Sequence, residues 1–253
     1  MVLNAFQLTG KVALITGCNT GLGQAMALAL AQAGCDIIGV NRSEPAETAA
    51  RITRLGRRFY GLNADLSDTR VIPDILSQAL AHAGRIDILV NNAGIILRQD
   101  AVDFTEQEWD AVMDLNSKSL FFLSQAVARQ FIRQGDGGKI INVASLLSFQ
   151  GGIRVASYTA SKSAVMGITR LLANEWAQHG INVNAIAPGY MATNNTDSLR
   201  ASAVRNQEIL ARIPAGRWGE PADVMGPVVF LASAAADYIN GYTLAVDGGW
   251  LAR

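Results

Sequence analysis

Cysteine and histidine are scarce in this 253-residue chain, with two of each. The thiols, Cys18 and Cys35, are too few for the disulfide framework of a small secreted fold and point to a reducing compartment, the cytoplasm. His82 and His179 lie far apart near the ends of expected helices, with no cysteine or carboxylate at ligand spacing, so no metal site is expected. An excess of one charge is also lacking, because 21 basic and 21 acidic side chains cancel. Without a basic stripe or interleaved aromatic and basic residues, nothing gathers nucleic acid or an anionic membrane. No apolar run approaches membrane-spanning length, and the opening residues MVLNAFQLTGK lack the apolar core of a secretory signal. These absences leave a small molecule as the expected partner.

What the chain does have is apolar bulk in a regular rhythm. Half of its residues are hydrophobic. Short β-branched runs at 11–17, 36–41, 58–65, 86–94, 139–145, 181–189 and 242–249 read as strands. Between them, 23–34, 46–56, 69–83, 106–134, 156–180, 196–211 and 221–233 read as helices. Near-continuously apolar strands separated by helices predict a parallel sheet covered on both faces. Right-handed crossovers then make a doubly wound, Rossmann-like α/β fold of about seven strands, a single domain over 1–253. The longest irregular stretch, about 189–219, is a candidate substrate loop.

The segment TGCNTGLG (16–23) follows the first strand and opens the first helix. Its glycines, Gly17, Gly21 and Gly23, expose backbone amides at a helix N-terminus, which suits a pyrophosphate. Asn19 and Leu22 share this loop and the expected nucleotide site, and Cys18 reads as a small filler. Asn41 and Arg42 end the second strand, where an acid would favour NAD and an arginine NADP. Asn41 can bond a ribose hydroxyl without repelling a phosphate, and Arg42 can meet the phosphate or stack on adenine, so these residues leave the choice open. Asp65 and Leu66 end the third strand, placed to flank adenine. Asn92, Ala93 and Gly94 follow the fourth, compact enough for backbone to meet cofactor.

In YTASK, Tyr158 and Lys162 stand one helical turn apart and share a face. Alone they could be an idle surface pair. Ser145 lies at the carboxyl end of the fifth strand, the edge where open α/β sheets bind ligands, and Asn116 lies in the long helix before it. Singly, Ser145 reads as a strand-end cap, Asn116 as a core amide and Thr193 as a loop hydroxyl. Together, TGCNTGLG, NNAG, Asn116, Ser145, YTASK and Pro188–Gly189 resemble the short-chain dehydrogenase/reductases, in order and across nearly the whole chain.

That resemblance implies an oxidoreductase using a nicotinamide cofactor, NAD in the first place, with Arg42 keeping NADP open. It implies Tyr158 as proton donor and acceptor. A phenol titrates near about 10 in water, and the Lys162 ammonium would lower this. Lys162 would also hold the nicotinamide ribose, Ser145 the substrate oxygen, and Asn116 a water linking lysine to solvent. Pro188, Gly189, Met191 and Thr193 match the stretch that contacts nicotinamide, and family relatives imply a homotetramer. Segments such as SLLSFQGGIRVASYTASK and NAIAPGYMATNNT are most similar to members acting on sugar acids in pectin and hexuronate breakdown. A sugar-acid pocket wants a cation and amides. Arg98 or Arg154 is the expected carboxylate clamp, with Gln150, Asn194 and Asn195 nearby. Trp109, Trp176 and Trp218 are expected in the core, and Trp250 with DVMGPVVFLAS between subunits.

Overall fold

Alternation along the strands decides which layer each side chain enters. In β1 (Val12–Thr16), Ala13 and Ile15 join one core cluster while Val12 and Leu14 join another across the sheet. The computed structural model describes all 253 residues. Six further strands follow: β2 (Asp36–Asn41), β3 (Phe59–Asn63), β4 (Ile88–Asn91), β5 (Gly138–Val143), β6 (Ile181–Pro188) and β7 (Thr243–Val246). They form one seven-stranded sheet in the order β3-β2-β1-β4-β5-β6-β7, parallel throughout.

The helices are α1 (Gly21–Gln32), α2 (Ala46–Arg54), α3 (Ile72–Ala83), α4 (Glu106–Met113), α5 (Ser119–Gln134), α6 (Ala156–Trp176), α7 (Asp197–Ala201), α8 (Ala203–Arg212) and α9 (Met225–Ala232). Helices α1 and α9 cover the Ile15 face, with Met26, Leu30, Val228 and Leu231 packed on Ile37, Val90 and Ile141. Helices α3, α5 and α6 cover the Leu14 face through Leu76, Leu123, Phe131 and Leu172. Buried Asp36 and Asp87 sit at the opposite edge from the strand carboxyl ends. Asp36 is paired with Arg57 and Arg58 at 2.7 Å each, and Asp87 with Arg85 at 2.6 Å, which offsets their desolvation. No helix is long and apolar enough to cross a membrane.

Four expectations change. The helix expected over 106–134 contains a π turn, Asp114–Lys118, joining α4 to α5. The excursion at 196–211 is two helices, split at Ser202, whose hydroxyl caps α8 by accepting from the Arg205 amide at 3.4 Å. Trp109 is not core but 40 % exposed on α4, whereas Trp250, expected between subunits, is buried within its own chain at 4 %.

Candidate active site

The chain leaves β1 towards β2 and β3, then returns to β4 on the other side, so a crevice opens at their carboxyl ends. It is a cleft of about 390 Å³. Its walls include Gly17, Asn19, Gly21, Leu22, Gly23, Asn41, Arg42, Asp65 and Leu66 at one end. Asn92, Ala93, Gly94, Ser145, Tyr158, Lys162, Pro188, Gly189, Met191, Thr193 and Asn194 line the other.

The glycine loop is held open by its neighbours. Gly17 has a left-handed φ of 65°, and a Cβ on Gly23 would sit 2.0 Å from the Gly17 carbonyl oxygen. Asn92 donates its amide to the Thr16 and Gly17 carbonyls at 3.0 and 2.8 Å. Thr16 Oγ1 in turn accepts from the amides of Asn92 and Ala93 at 3.0 and 2.9 Å. Asn41, expected to bond a ribose hydroxyl, lines the cleft and also braces the loop: its Oδ1 accepts from the Cys18 amide at 2.8 Å and its Nδ2 points at Cys18 Sγ. Burial pushes the Cys18 thiol up to about 11, so it is a packing group, as its loop position suggested. The resulting cradle, with bare backbone facing a helix N-terminus, fits a dinucleotide pyrophosphate.

Where the cleft runs over the ends of β2 and β3, Arg42 and Ser43 are exposed. Asp65 accepts from the Ser67 amide and hydroxyl at 2.9 and 2.8 Å, which together with the charge of Arg42 holds its carboxyl below the usual range. No carboxylate ends β2.

At the other end, Ser145 leaves β5 as the N-cap of a short turn, its Oγ accepting from the Leu147 amide at 3.2 Å. It is thus a cap and a cleft-facing hydroxyl at once. Tyr158 and Lys162 lie on α6, with the ammonium 5.6 Å from the phenol ring centroid. Lys162 Nζ donates to the Val143 carbonyl at 2.6 Å. The expected acidified phenol is not found. Burial raises the Tyr158 pKa, opposed by the Ser145 hydroxyl and the Arg98 guanidinium, while Lys162 is not among the opposing charges. Desolvation instead lowers Lys162 to about 8.

Lys162 therefore costs stability for as long as it is charged and buried. Unfolded, it binds a proton up to about pH 10.5; folded, only to about 8. Stability from this group thus rises between these values and is forfeited as pH falls through 8. Lys162→Met should raise the unfolding free energy of the ligand-free protein at pH 7 by about 1–3 kcal/mol while abolishing turnover. Denaturant unfolding at pH 7 and pH 10 checks this; equal stability of parent and variant at pH 7 would contradict it.

Asn116 does not line the cleft. It sits in the π turn, its Oδ1 accepting from the Ile95 amide and its Nδ2 donating to the Ile95 carbonyl, both at 2.9 Å, and to Ser161 Oγ at 3.1 Å. Both Nδ2 hydrogens are thus engaged, while Oδ1 accepts one bond and keeps a second acceptor position. Ser161 Oγ donates to the Tyr158 carbonyl at 2.8 Å, so Asn116 ties the β4 extension to the turn that carries the phenol.

The expected substrate residues separate. Arg154 has a left-handed φ of 63°, lies outside the cleft lining and pairs with Asp100 at 3.2 Å on exposed surface. Gln150 lies outside the cleft, its Oε1 accepting from Trp250 Nε1 at 3.1 Å. Arg98 is outside the lining but crosses the mouth, donating to the Asn195 carbonyl at 3.0 Å. Asn194 and Asn195 both face the cleft. Sequence reasoning missed Thr16, Ser43, Ile95 and Thr196. Of these only Thr196 carries a readable sign: TNNT places a second hydroxyl three residues after Thr193, and its Oγ1 reaches the Met191 carbonyl at 2.6 Å.

A family model described as short chain dehydrogenase matches residues 11–203. The 2-dehydro-3-deoxy-D-gluconate 5-dehydrogenase of Escherichia coli is 70 % identical over 253 residues, all of both chains. A solved structure from Agrobacterium tumefaciens, described as a 2-deoxy-D-gluconate 3-dehydrogenase with bound NADP, is 56 % identical. It superposes with a TM-score of 0.94, covering 99 % of this chain and 100 % of that one. A gluconate 5-dehydrogenase from Burkholderia cenocepacia, in complex with NADP and tartrate, is 39 % identical with a TM-score of 0.96 over the whole of both chains. With a glycine-loop cleft, a Ser145–Tyr158–Lys162 wall and relatives matching from end to end, the chain belongs to the short-chain dehydrogenase family.

Proposed function

We propose that this oxidoreductase interconverts 2-dehydro-3-deoxy-D-gluconate and its 2,5-diketo form. The observation that carries the reading is the shared cleft of Ser145, Tyr158 and Lys162 with the glycine loop, in a chain 70 % identical throughout to an enzyme of that name. The nicotinamide dinucleotide, when bound, supplies or accepts the hydride. In reduction, Tyr158 gives its proton to the ketone oxygen while Ser145 bonds that oxygen and steadies the developing charge. Oxidation runs the same proton back to the phenolate. Lys162, buried beside the phenol ring, stabilises the phenolate once charge develops and offers donors to the nicotinamide ribose. Asn116 holds the wall and the phenol-bearing turn in register.

Residues 1–253 act as one unit, with 189–219 covering the sugar acid. Arg98 is the proposed carboxylate clamp, exchanging the Asn195 carbonyl for the substrate, with Asn194 as an amide partner. Arg98→Met should raise KM for the keto acid about tenfold or more, the scale of a lost charge-assisted bond. An unchanged KM removes Arg98 from the role.

The cleft accepts NADP as well as NAD, because no acid ends β2 and Arg42 is exposed there. NADP in the Agrobacterium and Burkholderia structures supports this. Arg42→Ala should raise KM for NADP(H) about tenfold and leave KM for NAD(H) within about twofold. Equal effects on both would refute a 2′-phosphate role.

The protein is proposed to assemble as a homotetramer in the cytoplasm. Exposed Trp109, Phe122 and Leu171 on α4, α5 and α6 offer apolar surface for such contacts. A monomeric mass by light scattering would refute it.

The deciding assay follows nicotinamide absorbance with 2-dehydro-3-deoxy-D-gluconate and with gluconate, each with NAD and NADP. Faster turnover of gluconate would replace the proposed substrate, and no turnover of either would refute a sugar-acid enzyme.

A further inference from the structure

The last residues fold back against the turn after Ser145 and the end of α8. The Asp247 carboxylate accepts from the Gly249 and Leu251 amides, both at 2.9 Å, and so turns the chain inward. This buries the Trp250 indole among Leu146, Ile209 and Ile213. The Arg212 guanidinium lies over the indole, 4.1 Å from its centroid, and Tyr190 packs beside it at 4.7 Å. The indole N–H donates to Gln150 Oε1 at 3.1 Å, and Arg212 reaches the same oxygen at 3.4 Å.

Three separate pieces of the site therefore meet on one ring. Leu146 and Gln150 belong to the turn that starts at Ser145. Tyr190 stands between Gly189 and Met191, both of which line the cleft. Ile209 and Arg212 end α8, the second helix of the proposed substrate loop. Tyr190 carries the contact on to Trp218, at 5.6 Å edge-on, and Trp218 Nε1 donates to Asn206 of α8 at 2.7 Å. Trp250 itself touches neither the glycine loop nor the cleft.

We propose that Trp250 is a positioning residue for the reaction, pinning the substrate loop to the Ser145 turn so that both present one geometry to the carbonyl substrate. This rests on the reading of the cleft as an oxidoreductase site. A side chain that bridges two walls of an active site controls the alignment of the groups they carry, and small misplacements are costly. The Arg212 guanidinium is attracted to the negative face of the neutral indole, which ties the last turn of α8 to the ring.

The test compares Trp250→Ala, Trp250→Phe and Gln150→Leu with the parent, on whichever carbonyl substrate the parent reduces fastest. Trp250→Ala is expected to lower kcat/KM for that substrate by roughly ten- to hundredfold at 25 °C. Its dissociation constant for the dinucleotide, titrated without substrate, should stay within about twofold, because the glycine loop is untouched. Trp250→Phe keeps an aromatic ring against Tyr190 and Arg212 and should recover most of the rate, whereas Gln150→Leu should lose about threefold, the size of one neutral hydrogen bond. A purely structural role would lower Tm and spare kcat/KM well below it. Parent kinetics in folded Trp250→Ala overturn the proposal. Should that variant not fold, parent kinetics in both Trp250→Phe and Gln150→Leu overturn it, and a rate loss in either with unchanged dinucleotide affinity supports it. If the parent reduces a different carbonyl compound, only the sugar-acid reading falls; a parent inert on every substrate overturns both.

Discussion

Tyr158→Phe should lower kcat by about 10²–10⁴-fold in both directions, the range for loss of a positioned proton donor and acceptor. Dinucleotide affinity should change little, because the ring that packs beside Lys162 remains and only the hydroxyl goes. The pH profiles of the parent carry the same argument. Burial holds the phenol above its ordinary value, so it stays protonated through neutral pH. Reduction, which consumes that proton, should run flat from pH 6 to 8, and oxidation, which needs the phenolate, should climb with pH over the same range. Lys162, titrating at about 8, should impose an upper limit on any step that depends on its charge. Measuring kcat/KM in each direction against pH decides the matter. Oxidation that is already maximal at pH 6 would mean a phenol acidified below its ordinary value, and a Phe variant as fast as the parent would rule out Tyr158 as the proton carrier.

Gly23→Ala should weaken dinucleotide binding by roughly ten- to hundredfold and lower Tm by several degrees. The added methyl would lie 2.0 Å from the Gly17 carbonyl oxygen and 2.4 Å from Asn92 Nδ2. Neither neighbour can yield cheaply. The first is backbone in the turn that cradles the phosphates, and the second is held by bonds to the Thr16 and Gly17 carbonyls. The overlap must therefore displace the loop or the start of α1. Gly226→Ala is the control, since a Cβ there meets nothing within 4 Å and a helical alanine is favoured. Calorimetric titration and thermal unfolding of both variants would show whether the effect belongs to the loop. Parent-like affinity in Gly23→Ala would mean that the cradle is not where the dinucleotide sits.

Gly23 was visible in the chain as part of a motif, but the atom it makes room for was not. The same division recurs at Arg98 and Arg154. Both precede or follow recognisable motifs and both carry the same charge. Only the fold shows that Asp100 pairs with Arg154, while Arg98 spans the mouth to a residue 97 positions away. Asn41 and Gln150 were plausible ligand contacts by position, and only the fold shows the bonds each makes within the protein, to Cys18 and to Trp250. The π turn at Asp114–Lys118 leaves no mark in the apolar period of α4 and α5, which continues on either side.

From the chain alone came the alternation of strand and helix, the parallel sheet, the position of the phosphate loop and the gathering of Ser145, Tyr158 and Lys162 at one sheet edge. These follow from side-chain periodicity and from which end of a parallel strand faces a crevice, and both are local properties. Tertiary structure decided what each polar group bonds, which charges are paired, which tryptophan is buried, and that the phenol is raised rather than lowered. Those outcomes depend on distances between segments far apart in sequence and on how much water their packing excludes. Neither quantity is encoded by the spacing of residues along the chain.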